Sequence, residues 1–375
     1  MRIVCISASR VPATTANSIQ VMKACQALRQ LGHQVKLWVP TFETSFDWDR
    51  LAAFYGLQTR FEVGSIPSYY QFRRYDFSLK AVLKAKAAKA DLLYVWPPQA
   101  AVFGLILNIP VALELHGPPE GRFGPRLFWL LRRIPGEKRF LSITHALVNL
   151  LLRLDQKSFR DSEVVITPNG VDLERYQSLP EPSLARDDLQ IPQILTVGYT
   201  GHFYSGRGMG LLLELARRFP QVQFLWVGGQ EPDIHLWKQR LDQEYITNVR
   251  LPGFIENKSL PLYQAAADIL LMPYEQVITG SSGGNSAEYC SPMKMFEYMA
   301  CGRAIISSDL PVIHEVMNDS NCVFCPPSDV ESWANALRML LENSDTRIRL
   351  GSQCKQDVQG YTWVKRAEKA LAGFP

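Results

Sequence analysis

The sequence predicts an α/β protein that contains two doubly wound parallel sheets, and three observations favour this class. Strand-like and helix-like segments alternate from one end of the 375 residues to the other. The alternation occurs twice, and the two runs are separated by a polar stretch from Pro180 to Pro192 that suits a linker. The chain is also longer than one hydrophobic core normally organises, so two domains are expected.

The first half, residues 1–185, is predicted to form one such domain. Its pattern predicts a strand over Ile3 to Ser7, a helix from about Ser18 to Leu31 that stops at Gly32, and a strand from Gln34 to Val39. Further short aliphatic strands are predicted at Leu92 to Val95, Val111 to Leu115 and Val164 to Ile166.

The second domain is predicted over residues 186–358, and a last helix within 359–375 is expected to pack back toward the N-terminal domain. The predicted strands are Ile194 to Gly198, Gln223 to Val227, Asp268 to Met272 and Arg303 to Ser307. The predicted helices are Met209 to Phe219, Ser259 to Ala267 and Pro292 to Ala300. Two sheets facing each other would leave a cleft along their carboxyl edges, where ligands bind in open α/β folds.

The composition is that of an ordinary globular protein, with 47% hydrophobic and 20% charged residues. The apolar N-terminal stretch is too short for a secretory signal, and the longest apolar run, Ala100 to Leu115, is too short and too interrupted to span a bilayer. The seven cysteines fit reduced thiols in the cytoplasm, and the pair Cys322 and Cys325 fits a structural strand rather than a zinc or redox site.

A glycine-rich loop follows the first strand of the second domain. The first strand of the chain leads into Ala8 to Pro12 without a glycine, so the dinucleotide-binding fingerprint is absent there. In the later loop, Gly206 and Gly208 flank Arg207 just before a helix, where unpaired backbone N–H groups and a guanidinium suit phosphate oxygens. A plain structural turn would use the same glycines.

A second helix start carries a similar signal. Ser291 fits an N-cap and Pro292 the first turn, while Lys294 and Glu297 lie three residues apart on one face. A lysine in the first helical turn opposes the helix dipole, and a bound anion would compensate it. The alternative is an ordinary intrahelical Lys–Glu pair, which contributes a few tenths of a kcal/mol.

The run from Ser291 to Ala300, SPMKMFEYMA, resembles the donor-site helix of the retaining family-4 glycosyltransferases, which have the GT-B fold. Further matches follow in the family's order and cover nearly the whole chain. They are Ala16 to Gln20 with Leu31 to His33, Glu114 to Gly117, Pro168 to Asp172, Ala266 to Asp268 with Met272 and Pro273, and Tyr361 to Trp363. The resemblance implies two Rossmann-like domains facing each other across a cleft.

The resemblance also implies roles for particular residues of the second domain. Glu297 matches the glutamate that accepts hydrogen bonds from the nucleotide ribose, and Arg207 and His202 stand where the family usually has a lysine and an arginine for the diphosphate. Tyr289 stands where the family's first glutamate is expected, with Glu288 one step away. The rest of the implied donor site consists of Gly201, Gly206, Ser291, Met293 and Lys294.

In the first domain, His116 matches the histidine that reaches the donor sugar, and Asn17 and Ser18 lie where the family's loop approaches the acceptor. Together with Arg207 and Glu297, His116 forms the expected catalytic set. No cofactor is expected besides the nucleotide-sugar substrate. No metal is expected either, because Asp47-Trp48-Asp49 lies away from the inferred phosphate site and Arg207 and Lys294 already supply positive charge.

The expected activity is therefore the retaining transfer of a hexose-type sugar from a UDP- or GDP-sugar. The acceptor is expected to be a glycan, a lipid-linked molecule or a small molecule in cell-surface polysaccharide or glycolipid synthesis. A nucleotide-sugar epimerase of the same fold would need a pair of acid/base carboxylates that the sequence does not show. A catalytically degenerate partner protein is the other alternative, given Tyr289 and His202.

Residues 122–160 contain nine Lys or Arg against two acidic residues, among aromatic residues and leucines. Basic amphipathic helices of this composition can rest on anionic membrane surfaces, so peripheral contact with the inner membrane face is one interpretation. A solvated helix face over a packed core would give the same pattern. Nucleic acid is not an expected partner, because no recognisable binding module accompanies the charge.

Overall fold

A computed structural model describes residues 1–42, 45–155, 159–160, 163–278 and 285–374. The chain forms two compact units. The first consists of Met1–Asn169 together with Trp363–Pro375, and the second of Gly170–Thr362. No helix among the described residues is both long and apolar enough to cross a membrane.

Within the described residues, the first unit has a seven-stranded sheet in the order β3-β2-β1-β4-β5-β6-β7, and all neighbouring strands are parallel. The strands are β1 Arg2–Ile6, β2 Gln34–Val39, β3 Glu62–Ser65, β4 Leu92–Val95, β5 Val111–Leu115, β6 Lys138–Ser142 and β7 Val164–Ile166. The helices are α1 Ala16–Gln30, α2 Trp48–Tyr55, α3 Tyr75–Ala87, α4 Pro98–Ile106, α5 Gly124–Arg133, α6 His145–Asp155 and, from the end of the chain, α14 Trp363–Leu371.

The second unit has a six-stranded parallel sheet in the order β10-β9-β8-β11-β12-β13 over its described residues. The strands are β8 Thr196–Gly201, β9 Gln223–Gly228, β10 Val249–Gly253, β11 Ile269–Met272, β12 Ala304–Ser308 and β13 Val323–Cys325. The helices are α7 Pro182–Asp188, α8 Met209–Arg218, α9 Glu231–Gln243, α10 Leu260–Ala265, α11 Met293–Cys301, α12 Val330–Glu342 and α13 Ser344–Asp357.

The polar stretch from Pro180 to Pro192, which the sequence marked as a linker, contains α7 and belongs to the second unit. Its Arg186 is buried and donates from Nη1 to Asp268 Oδ2 at 2.8 Å, and Asp268 also accepts from the Thr196 N–H at 2.8 Å. This ion pair fixes α7 beside the start of β11, which Asp268 directly precedes. The polar composition therefore reflects a helix attached through charge rather than a free connection.

The basic stretch 122–160 is not a run of basic amphipathic helices, because β6 lies inside it between α5 and α6. Its residues 156–158, which include Lys157, lie outside the described residues. Arg139 on β6 is buried and donates from Nη1 to the carbonyl oxygens of Ala370 and Ala372 at 2.9 and 2.8 Å. These bonds satisfy carbonyl groups at the end of α14, so part of the basic charge stabilises the fold.

Candidate active site

The loop from β8 to α8 passes very close to the end of β11. Gly208 has a φ of +71°, and a Cβ atom there would lie 1.9 Å from the carbonyl oxygen of Pro273. Only glycine fits this position, because a side chain would overlap backbone atoms and adopt an unfavourable conformation. The glycine therefore places Arg207 beside the residues that follow β11, at the carboxyl edge of the sheet.

Helix α11, which carries the predicted donor-site residues, begins at Met293 and not one residue earlier. Its N-cap is Pro292, whose extended backbone angles precede the helix, so the expectation that Ser291 is the N-cap was wrong. Ser291 is instead buried one residue before the cap. Lys294 still lies in the first helical turn, Glu297 one turn later, and Gly302 ends the helix in the left-handed conformation.

Arg207 and Lys294 converge on the same aromatic ring. Tyr274, two residues after the end of β11, has its ring centroid 5.2 Å from Arg207 Cζ and 5.5 Å from Lys294 Nζ. Lys294 Nζ also lies 4.0 Å from the ring centroid of Tyr199 on β8. The faces of these rings attract both cations, yet they provide no hydrogen-bond acceptor of the strength of a carboxylate or phosphate.

Both cations keep buried donor atoms without a hydrogen-bond partner among the described residues. These atoms are Nζ of Lys294 and Nε of Arg207. Arg207 does donate from Nη2 to the hydroxyl of Tyr204 at 2.8 Å. Buried polar groups are almost always paired in folded proteins, so two unpaired cationic donors at one sheet edge indicate a site that an anion completes.

The electrostatics agree with this interpretation. Burial, followed by the positive charge of Arg207, holds the pKa of Lys294 well below its ordinary value, while Glu297 acts in the opposite direction. Gly201 leaves the space that the lysine needs, because a Cβ atom there would lie 2.7 Å from Lys294 Nζ. An oxyanion bound here would offset the desolvation of the ammonium group and its repulsion by Arg207.

The carboxylate of Glu297 is oriented by a short relay. Gln264 on α10 donates from Nε2 to Glu297 Oε2 at 3.2 Å, and its Oε1 accepts from the Tyr176 hydroxyl at 2.9 Å. Gln264 and Tyr176 are both buried. The relay fixes one oxygen of Glu297, which suits a residue that accepts hydrogen bonds from ribose hydroxyl groups.

His202 and Tyr289, like Arg207, occupy positions where the sequence departs from the family that it resembles. The ring of His202 stacks on Tyr204 with 5.2 Å between centroids, and its backbone carbonyl accepts from the Tyr199 hydroxyl at 2.7 Å. Tyr289 is buried, whereas the neighbouring Glu288 is exposed to solvent. The family's first glutamate is expected at the position of Tyr289, which is buried here. Because Glu288 is exposed, it does not replace that glutamate at a buried position.

The remaining candidates belong to the first unit. His116 follows directly after β5, and its Nε2 lies 3.2 Å from Oε2 of the buried Glu114. Asn17 is exposed near the start of α1. Ser18 is buried, and its hydroxyl donates to the carbonyl oxygen of Arg10 at 3.0 Å, so this side chain has a structural partner.

The other motifs have structural explanations. Asp47 caps α2 by accepting from the backbone N–H groups of Asp49 and Arg50. Cys322 and Cys325 are buried free thiols beside and within β13, and burial raises the pKa of both. Over the described ranges, no three His, Cys, Asp or Glu side chains are grouped so that they could hold a metal ion.

Sequence reasoning missed the aromatic part of the site and the residue that orients Glu297. Tyr199 and Gln264 looked like ordinary residues of a strand and a helix. Tyr274 carried a usable signal, because it directly follows Met272-Pro273 at the end of a buried strand, where parallel sheets place ligand-binding residues. The sequence correctly brought together Gly201, Arg207, Lys294 and the helix that carries Glu297.

Comparisons with known proteins agree with this architecture. A family model described as "Glycosyltransferase Family 4" matches residues 18–175, and one described as "Glycosyl transferases group 1" matches residues 194–343. A phosphatidyl-myo-inositol mannosyltransferase of Mycobacterium tuberculosis is 27% identical over 304 residues, which cover 76% of this chain and 74% of the relative. A processive diacylglycerol alpha-glucosyltransferase of Acholeplasma laidlawii is 23% identical over 52% of this chain and 56% of the relative.

Solved structures show the same fold at low identity. Anabaena HepE, solved in complex with UDP, has a TM-score of 0.75 and 16% identity, with 100% of this chain and 99% of that chain covered. A glycosyltransferase from Rickettsia africae has a TM-score of 0.77 and 11% identity, with coverage of 99% and 97%. The two parallel sheets are those of the GT-B fold, and the chain belongs to the family-4, group 1 glycosyltransferases.

Proposed function

We propose that this glycosyltransferase takes a hexose-type sugar from a UDP- or GDP-sugar and transfers it with retention of configuration. The observation that supports this proposal is the pair of buried donors on Arg207 and Lys294 that have no partner among the described residues, with Glu297 one turn further along α11. Two cations can bind the charged oxygens of a pyrophosphate, and an oriented carboxylate can accept hydrogen bonds from the hydroxyl groups of a ribose. The complexes of Anabaena HepE with UDP and with UDP-glucose support the same class of donor.

In the proposed reaction, the bond between the anomeric carbon and the diphosphate oxygen breaks while an acceptor hydroxyl forms the new bond on the same face. The acceptor hydroxyl passes its proton to the departing diphosphate oxygen, and the diphosphate is released with its negative charge next to Arg207 and Lys294. The protein mainly positions the reactants and stabilises the leaving group. Because these two cations supply positive charge where it develops, we expect transfer without a divalent metal.

A nucleotide panel tests the donor. UDP, GDP and their hexose conjugates are added to the purified protein with and without EDTA, and thermal unfolding and sugar hydrolysis are measured. We expect one nucleotide series to stabilise the protein, by about 2.7 kcal/mol at a concentration one hundred times Kd. EDTA should leave both signals unchanged. Stabilisation by neither series, or activity that EDTA removes and magnesium or manganese restores, would contradict the proposal.

The acceptor is proposed to be a glycan or lipid-linked molecule used in cell-surface polysaccharide or glycolipid synthesis. The names of two relatives support this proposal. The mycobacterial enzyme is named for phosphatidyl-myo-inositol and the Acholeplasma enzyme for diacylglycerol, and both are lipids. The first unit offers a surface for such an acceptor or its membrane. A groove of about 590 Å³ is lined by Pro119, Pro125, Arg126, Phe128, Trp129, Leu130 and Leu154.

We propose peripheral contact of this groove with anionic membranes. Trp129 is 51% exposed and Leu154 50% exposed, and Arg133 Cζ lies 4.1 Å from the Trp129 ring centroid. Exposed aromatic and basic groups together suit a membrane interface.

In a flotation assay with phosphatidylglycerol-rich vesicles, wild type should float and Trp129→Ser should float less. The exposed Tyr245 of the second unit gives the control variant Tyr245→Ser. Wild-type protein that stays entirely in the soluble fraction would rule out this contact.

A further inference from the structure

Glu114, the penultimate residue of β5, is a buried carboxylate two residues before His116. Its side chain is 0% exposed. Arg366 on α14 donates from Nη1 to Glu114 Oε1 at 2.7 Å and from Nη2 to Oε2 at 2.6 Å. The hydroxyl of Tyr94 on β4 also donates to Oε1. His116 Nε2 completes the set, 3.2 Å from Oε2.

These contacts determine the protonation state of the carboxylate. Burial alone would raise the pKa of Glu114, but the charge of Arg366 and the hydrogen bonds from His116 and Arg366 lower it to about 2. Glu114 is therefore ionised at neutral pH and can only accept hydrogen bonds. The proton between Glu114 and His116 must then reside on the histidine.

We infer that Glu114, held by Arg366 and Tyr94, positions His116 with a proton on Nε2, so that Nδ1 is the ring nitrogen left to contact a ligand. The ligand group that such an atom recognises is a hydroxyl of the bound substrate. This last step rests on the proposed function, whereas the position of the proton does not. Glu114, Arg366 and Tyr94 are positioning residues, because they reach the substrate only through His116.

A purely structural role for the ion pair is the competing explanation. Arg366 lies on the last helix, and joining it to β5 ties that helix to the sheet. However, α14 is also held through Arg139, and Arg366 Nε donates separately to the Pro168 carbonyl oxygen at 3.0 Å. A buried ion pair is often no more stabilising than apolar side chains of similar volume. The contact with His116 gives the charge of Glu114 a role that apolar packing would not provide.

Nitrogen NMR of the wild-type protein tests the position of the proton directly. The protein, labelled with ¹⁵N only at its six histidines, is measured at neutral pH, and the His116→Asn variant assigns the His116 signals. We expect Nε2 to carry a proton. A proton on Nδ1 instead of Nε2 would overturn the inference, whatever the activity of the enzyme.

A double-mutant cycle tests whether Glu114 acts through His116. Glu114→Gln should lower kcat/KM about 10- to 100-fold, the usual range for residues that orient a functional side chain. In the His116→Asn background the same change should have an effect within about twofold. Losses that multiply in the double variant would mean that Glu114 acts independently of His116. Glu62→Gln, an exposed carboxylate on β3, is the matched control.

Glu114→Gln leaves Arg366 buried without its partner and can prevent folding. The paired variant Glu114→Leu/Arg366→Met removes both charges and should show the same loss of kcat/KM with a retained fold. Wild-type kinetics in this variant would contradict the inference. If no nucleotide sugar is turned over, the proposed function fails while the NMR measurement still decides the tautomer. If the enzyme is active with the proton on Nδ1, only the inference fails.

Discussion

Replacement of Lys294 by methionine is expected to lower kcat/KM about a hundredfold while the protein remains folded. One preorganised charge donor at a developing anion contributes about 3 kcal/mol to the transition state. Methionine keeps most of the side-chain volume next to Tyr199 and Gly201 but cannot contact a diphosphate. The exposed Lys238 on α9 provides the matched control, and Lys238→Met should behave as wild type.

The stability of the Lys294→Met variant separates a functional from a structural role. In the free protein, burial and Arg207 disfavour the positive charge of Lys294, whose Nζ has no hydrogen-bond partner among the described residues. Removing that charge should leave the thermal midpoint of the unliganded protein equal to or above that of wild type. Stabilisation by the nucleotide should largely disappear. A variant with wild-type turnover, or one that is markedly less stable without ligand, would contradict the assignment.

The lowered pKa of Lys294 also gives the nucleotide affinity a pH dependence. The free lysine has a depressed pKa, and a bound diphosphate favours the charged form, so binding raises that pKa. Between the two pKa values, binding takes up a proton, and affinity falls as the pH rises through this window. Calorimetry in buffers of different ionisation enthalpy measures the uptake in wild type. The uptake should be absent in Lys294→Met.

Replacement of Arg207 by alanine is the second change with a large expected effect, again about a hundredfold in kcat/KM. Its guanidinium lies against Tyr274 and Tyr204, so its position is determined before the donor binds. Arg207→Lys should recover much of the activity, because the resembling family usually has a lysine at this position. Both variants are compared by steady-state kinetics with the donor identified from the nucleotide panel.

The control for Arg207 is Arg218 at the end of α8, which forms an exposed ion pair with Glu331. Exposed pairs of this kind contribute about 0 to 1 kcal/mol, so Arg218→Ala should leave both turnover and stability nearly unchanged. Equal losses in Arg207→Ala and Arg218→Ala would indicate a general effect on the second unit. Such a result would contradict the assignment of Arg207 to the donor site.

Much of the fold could be predicted from local signals. The predicted strands Gln34–Val39, Leu92–Val95, Val111–Leu115 and Val164–Ile166 have the bounds that the structure shows. The strands β3, β6 and β10 were not predicted. β6 begins with Lys138-Arg139, so its charge resembled a helix face, and the aliphatic residues of β10 are only partly buried. These strands exist because neighbouring strands pair with them, and no local pattern reports that pairing.

The N-cap of α11 also shows that local sequence preferences do not fix where an element begins. Serine is a good N-cap, and proline suits the first helical turn, so the sequence favoured a start one residue too early. The backbone of Pro292 is extended, and the helix begins after it. The error does not move the site, because Lys294 and Glu297 keep their spacing of three residues on α11.

The sequence alone predicted which residues carry the chemistry. The glycines around Arg207, the Lys294–Glu297 spacing and the order of the motifs are local features that a chain displays before it folds. Only the tertiary structure decided what surrounds them. The rings of Tyr199 on β8 and Tyr274 after β11 lie against Lys294, whose Nζ has no hydrogen-bond partner among the described residues. Arg366 reaches Glu114 from 252 positions away. Burial and pairing depend on distances in space, and these arise only when distant segments pack together.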